Sequence, residues 1–274
     1  MSRKLFCQIS PTTYKISVFK CTTLRHSKNI FRFQKIAKTK LDEKLPYLIY
    51  AHKSLIHRKL GDVDPNLQNN KAINLAIAAP KVSNITIAPG ETFSFWSLVG
   101  PCSEKRGYKD GLTILKGHAS KGIGGGICQF TNLIHWLVIH TPLEITEHHH
   151  HNGIDLFPDY GRQVPFGLGT SIAYNYLDYR FFNNTDSTFQ LIVWLTPEYL
   201  CAEIRSSQEI DVKYHIKKEN EYFSNENEII YRNGEIYQEC IDKKTGNLTS
   251  RVLIKKNHAR VLYDSSNLEI RTNN

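Results

Sequence analysis

The sequence predicts an α+β fold: a mainly antiparallel sheet, a central buried helix carrying Cys128 at its N-terminus, and a β-hairpin C-terminal region. Three observations predict it. The segment 127–140 is the most apolar helix candidate in the chain, with Ile127, Phe130, Leu133, Ile134, Leu137 and Val138 on one broad stripe. The order of periodic segments is helix, strands, helix, strand, strand and then more strands, the pattern of an α+β chain. Toward the C-terminus, Asn233-Gly234 and Thr245-Gly246-Asn247 separate short alternating runs, as hairpin turns do.

Taken in order, residues 1–67 read as a basic helical N-terminal region. Fourteen Lys/Arg stand against two acids in residues 1–60, so this part carries +12 of a net +9 and the remainder −3. Ile30, Phe33, Ala37 and Leu41 recur at near-helical spacing among Arg32, Lys35, Lys38 and Lys40. A basic amphipathic helix of this kind suits a membrane surface; the plainer reading is a solvated helix packed on the main domain. Gly61-Asp62-Val63-Asp64-Pro65-Asn66 combines turn formers with a proline and reads as the linker to a core domain at 68–205.

In that core, residues 71–79 form a short apolar helix candidate. Pro89-Gly90 turns into a strand over 91–96 that alternates Phe with polar residues. A glycine loop, Lys121-Gly122-Ile123-Gly124-Gly125-Gly126, runs straight into the apolar helix, which Pro142 stops. Strands are expected over 143–151 and 170–182, and a β-rich extension over 206–274, including 228–231 and 252–254.

Composition bounds the function classes. At 41% hydrophobic and 22% charged the chain has an ordinary globular balance. No apolar run approaches the ~18 residues of a membrane span. The charged opening, Met1-Ser2-Arg3-Lys4, lacks the apolar core of a secretory signal, so a cytoplasmic protein is expected, with peripheral membrane contact through residues 1–60. The six cysteines are scattered without a CxxC pair, which leaves no zinc knuckle or thioredoxin motif. No nucleic-acid-binding motif accompanies the basic charge, and no nucleic-acid partner is expected.

Chemistry concentrates where the glycine loop meets the helix. Backbone N–H groups of Gly124, Gly125 and Gly126, unobstructed by side chains and beside a helix N-terminus, suit an anion or an oxyanion. Cys128 in the first turn would have its thiolate favoured by the same dipole and act as a nucleophile, with Gln129 as a further donor. As a plain alternative, most isolated cysteines are small buried hydrophobes. His135 stands seven residues from Cys128, about 10 Å along a helix, and is expected to be structural.

One strand later, strand alternation over Glu147-His148-His149-His150-His151 sets Glu147, His149 and His151 on one face. There His149, or alternatively His151, would serve as base, oriented by Asp178 or Glu147, the arrangement of papain-like enzymes. Two rivals stand beside it: a zinc site from His149, His151 and Cys128, and a histidine-rich strand with no chemistry. No cofactor is expected, with zinc as the alternative.

Several segments together carry a family resemblance. Pro89-Gly90-Glu91-Thr92-Phe93-Ser94-Phe95-Trp96, Gly124-Gly125-Gly126-Ile127-Cys128-Gln129, Asp155-Leu156-Phe157-Pro158-Asp159, Val164-Pro165-Phe166-Gly167 and Tyr174-Asn175-Tyr176-Leu177-Asp178 resemble the VanW family over nearly the whole chain. The resemblance implies a cell-wall context and an accessory role in vancomycin-type resistance. Its Gly-Gly-Gly-x-Cys-Gln motif falls on Gly124–Gln129, and its Glu-Arg-His-x-His-Ser motif falls on Glu147–Asn152. Here His148 replaces Arg and Asn152 replaces Ser, so no fixed cation stands at 148 for a substrate carboxylate. The expected partner is a peptide-like cell-wall precursor. Cysteine-dependent acyl transfer or amide hydrolysis, non-catalytic binding of the precursor, and zinc binding are the readings left open.

Overall fold

The fold is α+β, and most of its strand pairs are antiparallel. The computed structural model describes residues 5–31, 35–58, 64–115, 118–150, 153–159, 161, 163–174 and 176–271. After a 3₁₀ turn, the lead contains helix α1 (Pro11–Phe31) and strand β1 (Tyr47–Leu55). The core follows with α2 (Pro65–Val82), β2 (Ile85–Ile87), β3 (Thr92–Ser94) and the short α3 (Phe95–Val99). Next come the hairpin strands β4 (Asp110–Leu115) and β5 (His118–Ile123), then α4 (Cys128–Val138). Strands β6 (Glu144–Glu147), β7 (Ile154–Asp155), β8 (Arg180–Phe182), β9 (Phe189–Leu195) and β10 (Tyr199–Ser206) complete it. The C-terminal part holds the long strands β11 (Val212–Glu226), β12 (Ile229–Asp242) and β13 (Leu248–Val261), with β14 (Ile270–Arg271).

Local chemistry sets several boundaries. The Asp64 side chain accepts the Asn66 amide at 2.9 Å and Pro65 occupies the first helical position, which together start α2. Ser94 caps α3 by accepting the Ser97 amide, so Phe95 and Trp96 begin a helix and do not extend the strand expected over 91–96. The same cap turns both rings into the core, at 0% and 5% exposed.

The helical spacing around 30–41 is overturned by backbone pairing. Phe33 lies outside the described residues, but Ile36 bridges Thr92 in parallel and Lys40 bridges Ile85 antiparallel. Ala37 donates to the Thr92 carbonyl at 2.9 Å and Thr86 to the Thr39 carbonyl at 2.8 Å. The free edges of β2 and β3 offer this segment a ladder, and tertiary pairing outweighs periodicity. The helix of the lead is α1 instead. Of the linker, 61–63 lie outside the described residues, while Pro65 and Asn66 belong to α2.

The sheets run β1-β10-β9-β2, β3-β8-β6, β4-β5 and β14-β11-β12-β13-β7. A strand of the basic lead therefore closes one edge of the core sheet, and the core's β7 pairs with β13 of the C-terminal sheet. Thr245-Gly246-Asn247 does make the β12–β13 turn, where Asp242 accepts the Lys244 and Thr245 amides. Asn233-Gly234 does not turn: it sits inside β12, opposite Tyr222 and Asn257. The β11–β12 turn uses Asn227 and Glu228, both at positive φ of 51° and 65°. The strand expected over 143–151 stops at Glu147, and of 170–182 only Arg180–Phe182 is regular.

Leu75, Ala78 and Val82 of α2, Phe130, Ile134 and Leu137 of α4 and the inner faces of β9 and β10 share the main core. A smaller cluster, Trp136, Ile139, Leu168 and Ile236, joins α4 to the C-terminal sheet. The Gln238 amide donates to the Ile139 carbonyl beside it at 2.6 Å.

Candidate functional site

A cavity of about 670 Å³ opens at the head of α4. Its wall includes Cys128, the 124–126 loop, Gln68 and Lys71 of α2, His150 and the segment 163–170. A volume and mixed lining of this kind suit a small organic ligand. The C-terminal sheet shapes the far wall: Asn257 donates to the Phe166 carbonyl at 3.0 Å, and Arg232 lies over the Phe166 ring.

Cys128 is the first residue of α4 and is partly buried. Burial pushes its thiol up, while the Ile172 amide and its own amide pull in the other direction without winning. The thiol is therefore not the thiolate that the helix dipole alone suggests. The Ile172 amide is held in place by its neighbours. Thr170 donates its amide to Asn132 at 2.6 Å, Ser171 donates to the His149 carbonyl at 2.7 Å, and His148 Nε2 bonds the Gly169 carbonyl at 3.0 Å. A second thiol in the wall, Cys102, is pushed up to about 11, chiefly by burial.

The glycine loop does not present its amides to the cavity. Gly124 donates to the Lys109 carbonyl, Gly125 to Gly122 and Gly126 to Leu112, at 2.9, 2.9 and 2.8 Å. Gln129 is equally engaged, its side-chain amide donating to Ser54 Oγ at 2.9 Å and the Leu55 carbonyl at 2.8 Å. The expected oxyanion donors Gly124, Gly125, Gly126 and Gln129 thus hold the loop and β1 together. The glycines answer a packing demand: a Cβ on Gly125 would lie 2.1 Å from the Gly111 backbone. Asn74, fully buried in α2, locks this contact. Its amide donates to the Gly125 and Lys109 carbonyls at 2.9 and 3.0 Å, and its oxygen accepts the Lys109 amide at 2.8 Å.

The histidines divide differently from strict alternation, because the strand ends before them. Glu147 and His149 do stay together, with His149 Nε2 bonded to Glu147 Oε1 at 2.9 Å. Glu147 is also gripped by both terminal nitrogens of Arg25, at 2.5 and 2.7 Å, and accepts the Asp178 amide at 2.9 Å. Burial raises the Glu147 pKa, but Arg25, the Asp178 amide and His149 outweigh it and leave the carboxyl below its ordinary range. Neither Glu147 nor His149 lines the cavity, whereas His150 does. His148 stacks on His135 with ring centroids 4.2 Å apart, and His135 bonds Tyr179 at 3.1 Å in the interior. His151 lies outside the described residues.

Asp178 is not placed to orient an imidazole. It is 1% exposed and accepts from Ser94 Oγ at 2.6 Å, Arg180 Nε at 2.7 Å, the Tyr179 amide at 2.9 Å and the Trp96 amide at 3.0 Å. Its carboxylate organises the start of α3. Among the described residues, no three His, Cys, Asp or Glu side chains are grouped to hold a metal ion.

Cys128 and His150 thus both line the cavity, and Glu147, His149 and Asp178 do not. Sequence reasoning missed Gln68, Lys71 and Asn74. The available signal was three polar side chains interrupting the apolar stripe of α2 at 68, 71 and 74, a spacing of three.

Comparison with known proteins gives consistent matches. The family model described as "VanW like protein" matches residues 70–205. The vancomycin B-type resistance protein VanW of Enterococcus faecalis is 30% identical over 227 residues, 83% of this chain and 82% of that protein. The uncharacterized protein YoaR of Bacillus subtilis is 32% identical over 117 residues, 42% of this chain but 36% of that protein. No solved structure is a significant match.

Proposed function

The chain belongs to the VanW family, and from that premise we propose that it serves vancomycin-type resistance by binding a peptide-like cell-wall precursor in the cavity at the head of α4. The observation that carries this reading is the cavity itself: about 670 Å³, walled by both apolar and polar groups and formed jointly by the core and the loops that the C-terminal sheet supports. The occupied glycine amides and the protonated Cys128 thiol favour binding over a ready-made hydrolytic centre.

The test is calorimetric titration of the full chain with soluble cell-wall stem peptides. Gly169 lines the cavity, and a Cβ there meets nothing closer than Asn132 Oδ1 at 4.0 Å. Gly169→Phe is expected to fold and to lose binding. Absence of binding by the unmodified chain, or undiminished binding by a folded Gly169→Phe, refutes the reading.

A second reading is favoured by one arrangement, Cys128 and His150 in the same wall with the Ile172 amide at the sulfur. Here His150 would take the thiol proton as the sulfur attacks an acyl carbon, then return it to the departing amine. Water would release the acyl group from the thioester. It requires iodoacetamide to modify Cys128 faster than the other five thiols; equal rates at pH 7 count against it.

A further inference from the structure

Among the described residues, two polar side chains of α2 in the cavity wall, Lys71 and Gln68, carry atoms that meet no partner. Lys71 is 6% exposed, lines the cavity, and has no ion pair or hydrogen bond among the described residues. Its stem rests on Gly126, where a Cβ would lie 2.4 Å from Lys71 Cγ, so the glycine makes the bed for it. One turn earlier, Gln68 is 7% exposed, and its buried Oε1 has no hydrogen-bond partner. A buried acceptor left unmet is destabilising, and an unpaired ammonium more so.

The charge around them has one sign. The nearby cation Arg58 also lines the cavity, as does Lys53. Among the described residues, the one acid in the wall, Asp155, is already bonded to Arg232 at 3.3 Å and to the Tyr263 hydroxyl at 3.1 Å. A ligand that satisfies this wall brings an anion to Lys71 and, close beside it, an N–H to Gln68. A fully ionised phosphate ester has only acceptor oxygens and would face the Gln68 oxygen with no donor, whereas the P–OH of inorganic phosphate makes that ion the stricter comparison. The end of a peptide has both features, since its last amide N–H and its carboxylate share one α-carbon.

We infer that Lys71 and Gln68 form a carboxylate subsite: Lys71 pairs with the free C-terminal carboxylate of a peptide, and Gln68 Oε1 accepts from its last amide N–H. The inference rests on the cavity being a peptide-binding site. Burial and the Arg58 charge lower the Lys71 amine to about 7 in the empty cavity, so a bound carboxylate also restores its proton.

The experiment compares N-acetyl-Ala-Ala, its C-terminal amide and inorganic phosphate as ligands of the full chain, followed through the fluorescence of Trp96 in the wall. The free acid is expected to bind at least about tenfold more tightly than the amide. Lys71→Met, which keeps the stem on Gly126 and removes the charge, is expected to abolish that preference. Acid and amide binding equally well overturns the subsite. So does a preference that survives Lys71→Met, or phosphate matching the acid. Failure of both peptide forms to bind instead refutes the peptide-binding reading on which the subsite rests. Should Lys71→Met not fold, limited acetylation of the unmodified chain at pH 7, mapped by mass spectrometry, decides the point. The acid is expected to protect Lys71 and the amide not to; equal protection overturns the subsite.

Discussion

Asp178, expected from the sequence to orient an imidazole, is instead the keystone of a turn, and the two roles have different consequences. Asp178→Ala leaves Arg180 without its 2.7 Å partner and two interior amides without an acceptor. Loss of one member of a buried ion pair costs roughly 3–5 kcal/mol. Denaturant unfolding of Asp178→Ala is expected to show a drop of that size; a midpoint unchanged from the parent contradicts the assignment. Gly125→Ala tests the loop in the same way. Its new methyl meets the Gly111 backbone at 2.1 Å, and overpacking of this kind costs on the order of 3 kcal/mol. If Gly125 merely lent its amide to a ligand, the alanine variant would unfold like the parent.

At the scale of elements, α1 is held to the core by its C-terminal half. Arg25 grips Glu147, and Asn29 accepts from Arg180 at 3.0 Å. Charged hydrogen bonds of this kind contribute roughly 1.5–3 kcal/mol. Arg25→Ala is therefore expected to expose α1 to limited proteolysis before the rest of the chain, and an unchanged cleavage pattern would show that the helix is held by other contacts. The same helix leaves Phe19 73%, Tyr14 52% and Ile16 51% exposed beside Lys15 and Lys20. The amphipathic helix first expected over 30–41 is not formed, and we propose instead that α1 makes the membrane-surface contact expected of residues 1–60. Cosedimentation with anionic vesicles is expected to fall on Phe19→Ser, and equal sedimentation of parent and variant argues against it. Among the described residues, no helix is long and apolar enough to cross a membrane.

The molecule as a whole carries several histidines held neutral by burial. His135 is lowered well below 6.5, His140 to about 4, and His148 also lies below its ordinary value, in each case with burial as the largest cause. Because the folded pKa values lie below the unfolded ones, protons bind the unfolded chain first as the pH falls. Their contribution is complete above about pH 6.5 and is lost as the pH drops toward the folded values. Glu147, also depressed, adds a loss at lower pH as it is protonated away from Arg25. Thermal unfolding is expected to move steadily downward from pH 7 to pH 4; a transition at pH 5 as high as at pH 7 contradicts this electrostatic account.

How much of this was legible in the sequence follows from the range of the interactions involved. Stripe periodicity and turn residues are local, and they sufficed for the α+β class with mainly antiparallel pairing and for the Thr245-Gly246-Asn247 turn, while the resemblance of five short segments pointed to the family. The path of 35–41 was not local, because the exposed edges of β2 and β3 decided it. Nor was the Asn233-Gly234 pair, which cross-strand partners hold extended within β12. At the site, sequence pointed to Cys128 and to a histidine run. Which histidine shares its cavity, where the glycine amides donate, and that Lys71 and Gln68 stand unpaired beside it depend on contacts between segments far apart in the chain. Hydrogen bonds and charges act at contact distance, so only the packed chain decides who meets whom.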